Sequence, residues 1–241
     1  MNVKIFNSAN EIGAAAAKII IDKIKENDST ILGLATGSSP IPTYKEIIKA
    51  YNAGEISFKN VKSFNLDEYC GIPASDRNSY YTFMHENLFD SIDINPDNTQ
   101  VPDGNPADVD AFCKAYDESI KNAGGIDIQI LGIGRNAHIG FNEPADEFTK
   151  GTYKVKLTES TIEANKRFFD KVEDVPTEAI TMGVESILDA KEIILIATGK
   201  DKAQAIHDMI KGEISPACPA SILQKHNNVH IFIDKDAASL I

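Results

Sequence analysis

Short apolar runs alternate with longer stretches in which apolar residues return every three or four positions, and this rhythm holds along the chain. Residues 3–6 read as a short strand. Ser8 and Glu11 then make a capping-box pattern that opens an Ala/Ile-rich helix to about Glu26. Residues 30–35 predict the next strand, followed by a helix from about Pro42 to Ala53 that Gly54 closes. Residues 61–66 predict a third strand, ending in Asp67, Glu68 and Tyr69. Helices follow near 78–89 and 107–123, the second with Pro106 at its start and Gly124-Gly125 at its end. Strands are expected at 126–131 and 154–157, and helices at 158–169 and 177–188. A buried strand at 192–197, a helix at 201–210 and a last strand at 229–233 complete the pattern. This succession predicts an α/β fold, a mostly parallel sheet with helices on both faces.

The 241 residues suffice for one well-buried α/β domain or two small ones. No Pro/Gly/Ser-rich linker, low-complexity tract or repeat divides them, so residues 1–241 are read as a single domain. A net charge of -12 argues against nucleic-acid or membrane-surface partners. It leaves room for an anionic small molecule, provided that cations and amides gather locally to hold it. The three cysteines, Cys70, Cys113 and Cys218, are odd in number and far apart, with no CxxC, which points to neither a disulfide framework nor a zinc site. The N-terminal residues do not form a signal peptide, and no apolar run approaches membrane-spanning length. A reducing cytoplasm is therefore the expected compartment.

Candidate chemistry concentrates in three segments. Residues 131–144 read LGIGRNAHIGFNEP and follow an apolar run; Gly132, Gly134 and Gly140 surround His138, and Glu143 lies five residues after it. A strand that ends in glycines and then presents His138, Asn142 and Glu143 is the layout of a site at the carboxyl edge of a parallel sheet. Residues 33–40 read GLATGSSP between a strand and a helix. Thr36, Ser38 and Ser39 add hydroxyls to the free amides of a helix N-terminus, which makes a phosphate cradle or, equally, a plain capped turn. The Walker A pattern is absent. Two later cations favour the cradle, Arg167 in NKRFF and Lys202 in TGKDKA, although each alone also reads as a surface charge. Lys202 falls in the first turn of a predicted helix, where the dipole disfavours a cation and a bound anion would repair the conflict. Residues 64–71 read FNLDEYCG, with Asp67 and Glu68 directly after a buried strand. Neighbours on an extended chain point opposite ways, so one of the two faces the site. It would serve there as a general base or cap the loop. Tyr69, Tyr80 and Tyr81 fit a wall or a core alike.

In this order and at these separations the three segments resemble the glucosamine-6-phosphate deaminase (isomerase-deaminase) family. SYYTFM at 79–84, NKRFF and the turn Gly199-Lys200-Asp201-Lys202 match as well, so the resemblance covers nearly the whole chain, with HIGFNEP its most specific part. The resemblance implies a Rossmann-like, three-layer fold. It also implies conversion of glucosamine 6-phosphate and water to fructose 6-phosphate and ammonium, without a metal or organic cofactor. His138 would then shuttle the proton that opens the sugar ring, a task for a group titrating near neutrality. Glu143 would hold its tautomer and stabilise the imidazolium, and Asp67 would move the C2 proton to C1. Gly37, Ser38, Ser39, Arg167 and Lys202 would hold the phosphate, far from the reacting carbons, where it supplies binding energy. Asn136 stands where many members carry aspartate. It can orient His138 but supplies no charge, which leaves the electrostatic support to Glu143. Ala137 stands where glycine is frequent, which requires a backbone angle that alanine can adopt.

Some members of that family are hexamers activated by N-acetylglucosamine 6-phosphate through basic residues before the 158–169 helix and a longer C-terminal tail. Tyr153 and Val155 stand where those cations would be, and the chain stops at Ile241. The expectation is a monomer or small homo-oligomer without allosteric activation. Residues 150–176 are polar and turn-rich, which fits either a mobile lid that carries Arg167 or an ordinary helical connection. Three rivals remain. A 6-phosphogluconolactonase-like hydrolase would need the histidine but no C2 base. A non-catalytic sugar-phosphate sensor would lack an intact Asp67, His138 and Glu143 set and would often add a DNA-binding module. A nucleotide-binding domain is disfavoured because no acid follows Gly132-Ile133-Gly134 at the ribose spacing.

Overall fold

The computed structural model describes residues 1–241, apart from the side chains of Ala164 and Phe168. In chain order the strands are β1 (Asn2–Phe6), β2 (Ile31–Leu34), β3 (Lys62–Asn65), β4 (Asp67–Tyr69), β5 (Thr99–Gln100), β6 (Ile128–Leu131), β7 (Tyr153–Lys156), β8 (Glu178–Thr181), β9 (Glu192–Ala197) and β10 (Val229–Asp234). The α-helices are α1 (Ala9–Glu26), α2 (Ile41–Asn52), α3 (Tyr80–Asn87), α4 (Val109–Ala123), α5 (Glu159–Asn165), α6 (Val184–Leu188) and α7 (Ala203–Lys211). Among the described residues, seven strands form one sheet in the order β1-β10-β9-β6-β2-β3-β5, and every pairing in it is parallel. Helices flank this sheet. α1 packs on α2 and on β10, and Tyr116 of α4 meets Phe64 of β3 edge-on with ring centroids 6.0 Å apart. The expected α/β architecture is borne out.

Local chemistry explains most boundaries. Ser8 caps α1 by accepting from the Glu11 amide at 3.2 Å, while Glu11 reaches back to the Asn7 amide at 2.9 Å, one residue earlier than a strict capping box places it. Gly124 closes α4 in the left-handed region at φ 104°, where a side chain would be strained. β9 is buried along nearly its whole length, as a central parallel strand covered on both faces must be.

The chain departs from the sequence pattern at β5, a two-residue edge strand that no apolar run announces, and at two linked places. Residues 177–188 are not one helix. Residues 178–181 form β8, and α6 starts only at Val184. A Cβ on Gly183 would lie 2.3 Å from the Gly151 carbonyl oxygen, so the chain must stay extended and glycine-bare as it passes that backbone. Pairing with two neighbours outweighs the helix preference of Glu178 and Ala179. β8 is the middle strand of a second, antiparallel sheet, β4-β8-β7, which the periodicity of single segments does not reveal. Leu66 is the switch between the sheets. Its amide still donates to Leu34 of the large sheet at 3.0 Å, and its carbonyl accepts from Met182, beside β8, at 2.7 Å. The next residue, Asp67, therefore opens β4 opposite Thr181. No described helix is long and apolar enough to cross a membrane.

Candidate active site

The strand order places the site. From β2 the chain crosses to β3 on one side, and from β6 it runs to β9 on the other, so the order reverses between β2 and β6. Loops at the carboxyl ends of two such strands splay apart and leave a crevice for a ligand. The loops that leave β2 and β6 here are GLATGSSP and GIGRNAHIGFNEP. They approach each other: a Cβ built on Gly132 would sit 3.9 Å from Ser39 Oγ.

The first loop turns at Gly37, with φ 86°, and leads into α2, whose N-cap is Pro40 and which has no side-chain cap. A helix that begins uncapped leaves backbone N–H groups without intrahelical partners, and these favour an anion. Ser38 is exposed and Ser39 half-buried beside those amides.

Asp67 and Glu68 point apart, as their positions on a strand require. Glu68 turns to α3 and accepts from the amides of Tyr69 (2.8 Å), Tyr80 (2.9 Å) and Tyr81 (2.9 Å). Asp67 is 6% exposed and lies against the glycine loop, with its Oδ2 3.6 Å from where a Cβ on Gly140 would be. Burial, reinforced by the Glu68 charge, pushes the Asp67 carboxyl up to about 8. An acid so placed holds or gives up a proton near neutrality, as a proton-transfer group must.

The second loop folds tightly. Ala137 has φ 64° and Gly140 φ 56°, both left-handed. The sequence expectation for Ala137 is therefore corrected: it occupies an angle that favours glycine, fixed by Ala137 N–H donating to Gly134 O at 3.1 Å and Ala220 N–H to Ala137 O at 2.9 Å. His138 lies over Gly134, where an added Cβ would come within 2.3 Å of the imidazole. Its Nδ1 is buried without a hydrogen bond and stands 3.5 Å from Glu143 Oε2, an ion-pair distance.

Glu143 is gripped by Thr158, Thr161 and Asn136. Thr158 Oγ1 donates to Oε1 at 3.2 Å, Thr161 Oγ1 donates to the same oxygen, and Asn136 Nδ2 donates to Oε2 at 2.5 Å. Burial works against the charge, but the facing imidazole and the donors Thr161 and Asn136 outweigh it and hold the carboxyl at about 2. Asn136 thus orients the acid rather than the ring of His138, which it meets only through a long 3.4 Å contact from the His138 amide to its Oδ1. Asn142 is not presented to the crevice. It is 1% exposed and is consumed by bonds to Ile139 O, Met182 O, Thr149 and Tyr153.

Lys202 ends a short 3-10 turn just before α7. Burial lowers its ammonium, Asp201 opposes that, and the guanidiniums of Arg135 and Arg167 lower it further. Three cations therefore share one region of an acidic chain, as an anion site needs. Arg135 was not singled out in the sequence; it stands one residue before Asn136 and pairs with Asp201 at 2.9 Å. Thr158 and Thr161, which hold Glu143, also carried no distinctive sequence signal, whereas Glu68, the sequence's other candidate beside Asp67, turns away to cap α3. Tyr69 is core, 2% exposed, and Tyr80 packs half-buried against it. With Phe141 and Phe169 they form an aromatic cluster beside Asp67, the Tyr69 and Tyr80 ring centroids being 4.7 Å apart. Among the described residues no three His, Cys, Asp or Glu side chains gather as a metal site would require.

Known proteins fit this geometry. A family described as glucosamine-6-phosphate isomerases/6-phosphogluconolactonase matches residues 7–232. The glucosamine-6-phosphate deaminase of Thermoanaerobacter sp. (strain X514) is 51% identical over 241 residues, covering 100% of this chain and 95% of its own length. That of Mycoplasma mycoides subsp. mycoides SC is 52% identical over 239 residues, covering 99% and 97%. A solved monomeric glucosamine-6-phosphate deaminase superposes with a TM-score of 0.97 at 43% identity over 100% of both chains. The 6-phosphogluconolactonase from Trypanosoma brucei, at 19% identity and a TM-score of 0.76 over 99% of this chain and 97% of its own, shares the fold alone. By motif, fold and relatives, the chain belongs to the glucosamine-6-phosphate isomerase/6-phosphogluconolactonase family and sits among its deaminases.

Proposed function

We propose that the protein converts glucosamine 6-phosphate and water to fructose 6-phosphate and ammonium. The observation that carries the reading is the glycine loop after β6, which carries His138 and approaches both the Ser39 loop and Asp67. Gly132 approaches Ser39, His138 rests on Gly134, and Gly140 lies against Asp67. One amino-sugar phosphate bridges these groups. Its phosphoryl end meets the Gly37, Ser38 and Ser39 loop with Lys202, Arg167 and Arg135. Its sugar end meets His138 and Asp67.

The chemistry divides accordingly. His138 carries the proton from the anomeric hydroxyl to the ring oxygen, and Glu143, kept ionised by the facing imidazole with Thr161 and Asn136, balances the imidazolium. Asp67 takes the C2 proton and returns it to C1, and the sugar passes through an enolamine. Water then adds to the imine carbon at C2 and ammonia leaves, so the last step is hydrolytic. No step draws on a metal or organic cofactor. Within residues 150–176, β7 is held in the second sheet by β8, so a lid that brings Arg167 to the phosphate is confined to the segment after it, whose Phe169 closes edge-on against Tyr69 at 5.9 Å. The protein works as a cytoplasmic monomer, in keeping with its monomeric relative.

An ammonia-release assay on glucosamine 6-phosphate, run beside unphosphorylated glucosamine, tests the proposal. Ammonia from the phosphorylated sugar alone is expected; ammonia from neither refutes the activity. Lactone hydrolysis needs no group at Asp67, so hydrolysis of a phosphorylated sugar lactone by the wild type, retained in Asp67→Asn, would favour the lactonase reading.

A further inference from the structure

Asp67 and Glu68 are two buried acids side by side, and the reaction above uses only the first. Glu68 is 4% exposed. Its two oxygens take three backbone amides, two of them the first of α3, at the positive end of that helix. Three N–H donors converging on one carboxyl match its ionised form, which is acceptor-only. Burial raises the Glu68 carboxyl, the three amides pull it back, and Asp76 pushes it up again. Room to move is absent. A Cβ on Gly104 would lie 1.9 Å from Tyr69 O and 3.4 Å from Glu68 Cγ, so the 103–105 loop closes over the clamp.

The surroundings make this anion matter to its neighbour. Asp67 also acts electrostatically on the phenols of Tyr69, Tyr80 and Tyr116, and burial keeps all three protonated and uncharged near neutrality. Among the described residues, the charge acting on Asp67 is that of Glu68. Resting on the reading of Asp67 as the base, we propose that Glu68 is a positioning residue for proton transfer. Its amide-clamped carboxylate fixes the strand that aims Asp67 at C2, and as a fixed adjacent anion it makes Asp67 a stronger base. The C2–H, beside the C1 aldehyde of the opened sugar, is a weak acid, and a base gains rate from proton affinity on the high-pH plateau, where it is ionised.

The test is kcat/KM for ammonia release against pH, in wild type, Glu68→Gln and Glu68→Asp. Glu68→Gln is expected to move the acid limb down by about one pH unit and to lower the plateau severalfold. Glu68→Asp keeps the charge and should leave the limb in place while lowering kcat. A Glu68→Gln limb at the wild-type position, with activity reduced equally at every pH, marks a merely structural role and overturns the proposal. Should the glutamine variant not fold, the carboxyl 13C titration of both acids in the wild type decides. Glu68 already ionised throughout the range in which Asp67 titrates is expected, and a Glu68 still protonated when Asp67 ionises overturns the proposal. A wild type that releases no ammonia removes the functional reading itself, whereas a turning-over wild type with an unmoved Glu68→Gln limb removes only this inference.

Discussion

Replacing Asp67 by asparagine should cost the protein its activity and strengthen its fold. The unfolded chain ionises this carboxyl near its ordinary value of 3.8, but the folded chain holds the proton up to about 8. Between those values the folded state binds more protons, so stability falls as pH rises. Each unit of difference is worth about 1.4 kcal/mol. Wild type therefore loses on the order of 5 kcal/mol at this one site between pH 4 and pH 8. Asparagine has no charge to bury and escapes the loss. Urea unfolding of both proteins at pH 4, 6 and 8 isolates the effect, because every other titrating group is shared. The two should differ little at pH 4, and the variant should be the more stable by on the order of 3 kcal/mol at pH 6 and 5 kcal/mol at pH 8. A difference that stays constant with pH would refute the reasoning, for it would mean that Asp67 ionises freely in the folded state.

Glu143 should behave with the opposite sign. Its carboxyl falls from 4.5 to about 2 on folding, so its contribution is complete above about pH 5 and fades as pH falls toward 2. Glu143→Gln should cost about 3 kcal/mol at pH 7 and progressively less below pH 4, as followed by urea unfolding. Gly134→Ala would drive a methyl to 2.3 Å from the imidazole of His138 and force the ring aside. Displacement of about an ångström lowers kcat by roughly a hundredfold, and steady-state assays with circular dichroism as a folding control would show it. Lys202→Ala should raise KM for the sugar phosphate by roughly ten- to a hundredfold with little change in kcat, the loss of one charged hydrogen bond to a remote group. Inorganic phosphate should weaken as a competitive inhibitor to the same degree.

Much of this was legible in the residues. Period and capping located the parallel strands β1, β2, β3, β6, β9 and β10, and missed β5, whose two polar residues carry no such pattern. The glycine loop announced itself through residues that cost conformational entropy unless a site needs them. What stayed hidden depends on contacts between distant segments. β8 reads as helix until β4 and β7 flank it, and the second sheet exists only through pairings between separate segments, β4 reaching β8 from more than a hundred residues away. The neighbouring acids, Asp67 and Glu68, could be told to diverge, but the strand pattern alone left open which turns inward to a helix and only the resemblance favoured Asp67 for the site; the amides of Tyr80 and Tyr81 take Glu68. Asn136 was expected to reach His138, yet Glu143 lies nearer its amide. Arg135 looked like any exposed arginine because its neighbours Asp201 and Lys202 come from a turn 66 residues away.

The account stands on Asp67 and His138 working at one sugar whose phosphate is held across the crevice. The most direct test supplies glucosamine 6-phosphate deuterated at C2 and follows the label by NMR as ammonia is released. Wild type should turn over more slowly than with the protonated sugar and move the deuterium to C1 or solvent, while Asp67→Asn should leave it at C2 and release no ammonia. Loss of the C2 label in Asp67→Asn at the wild-type rate would contradict the account.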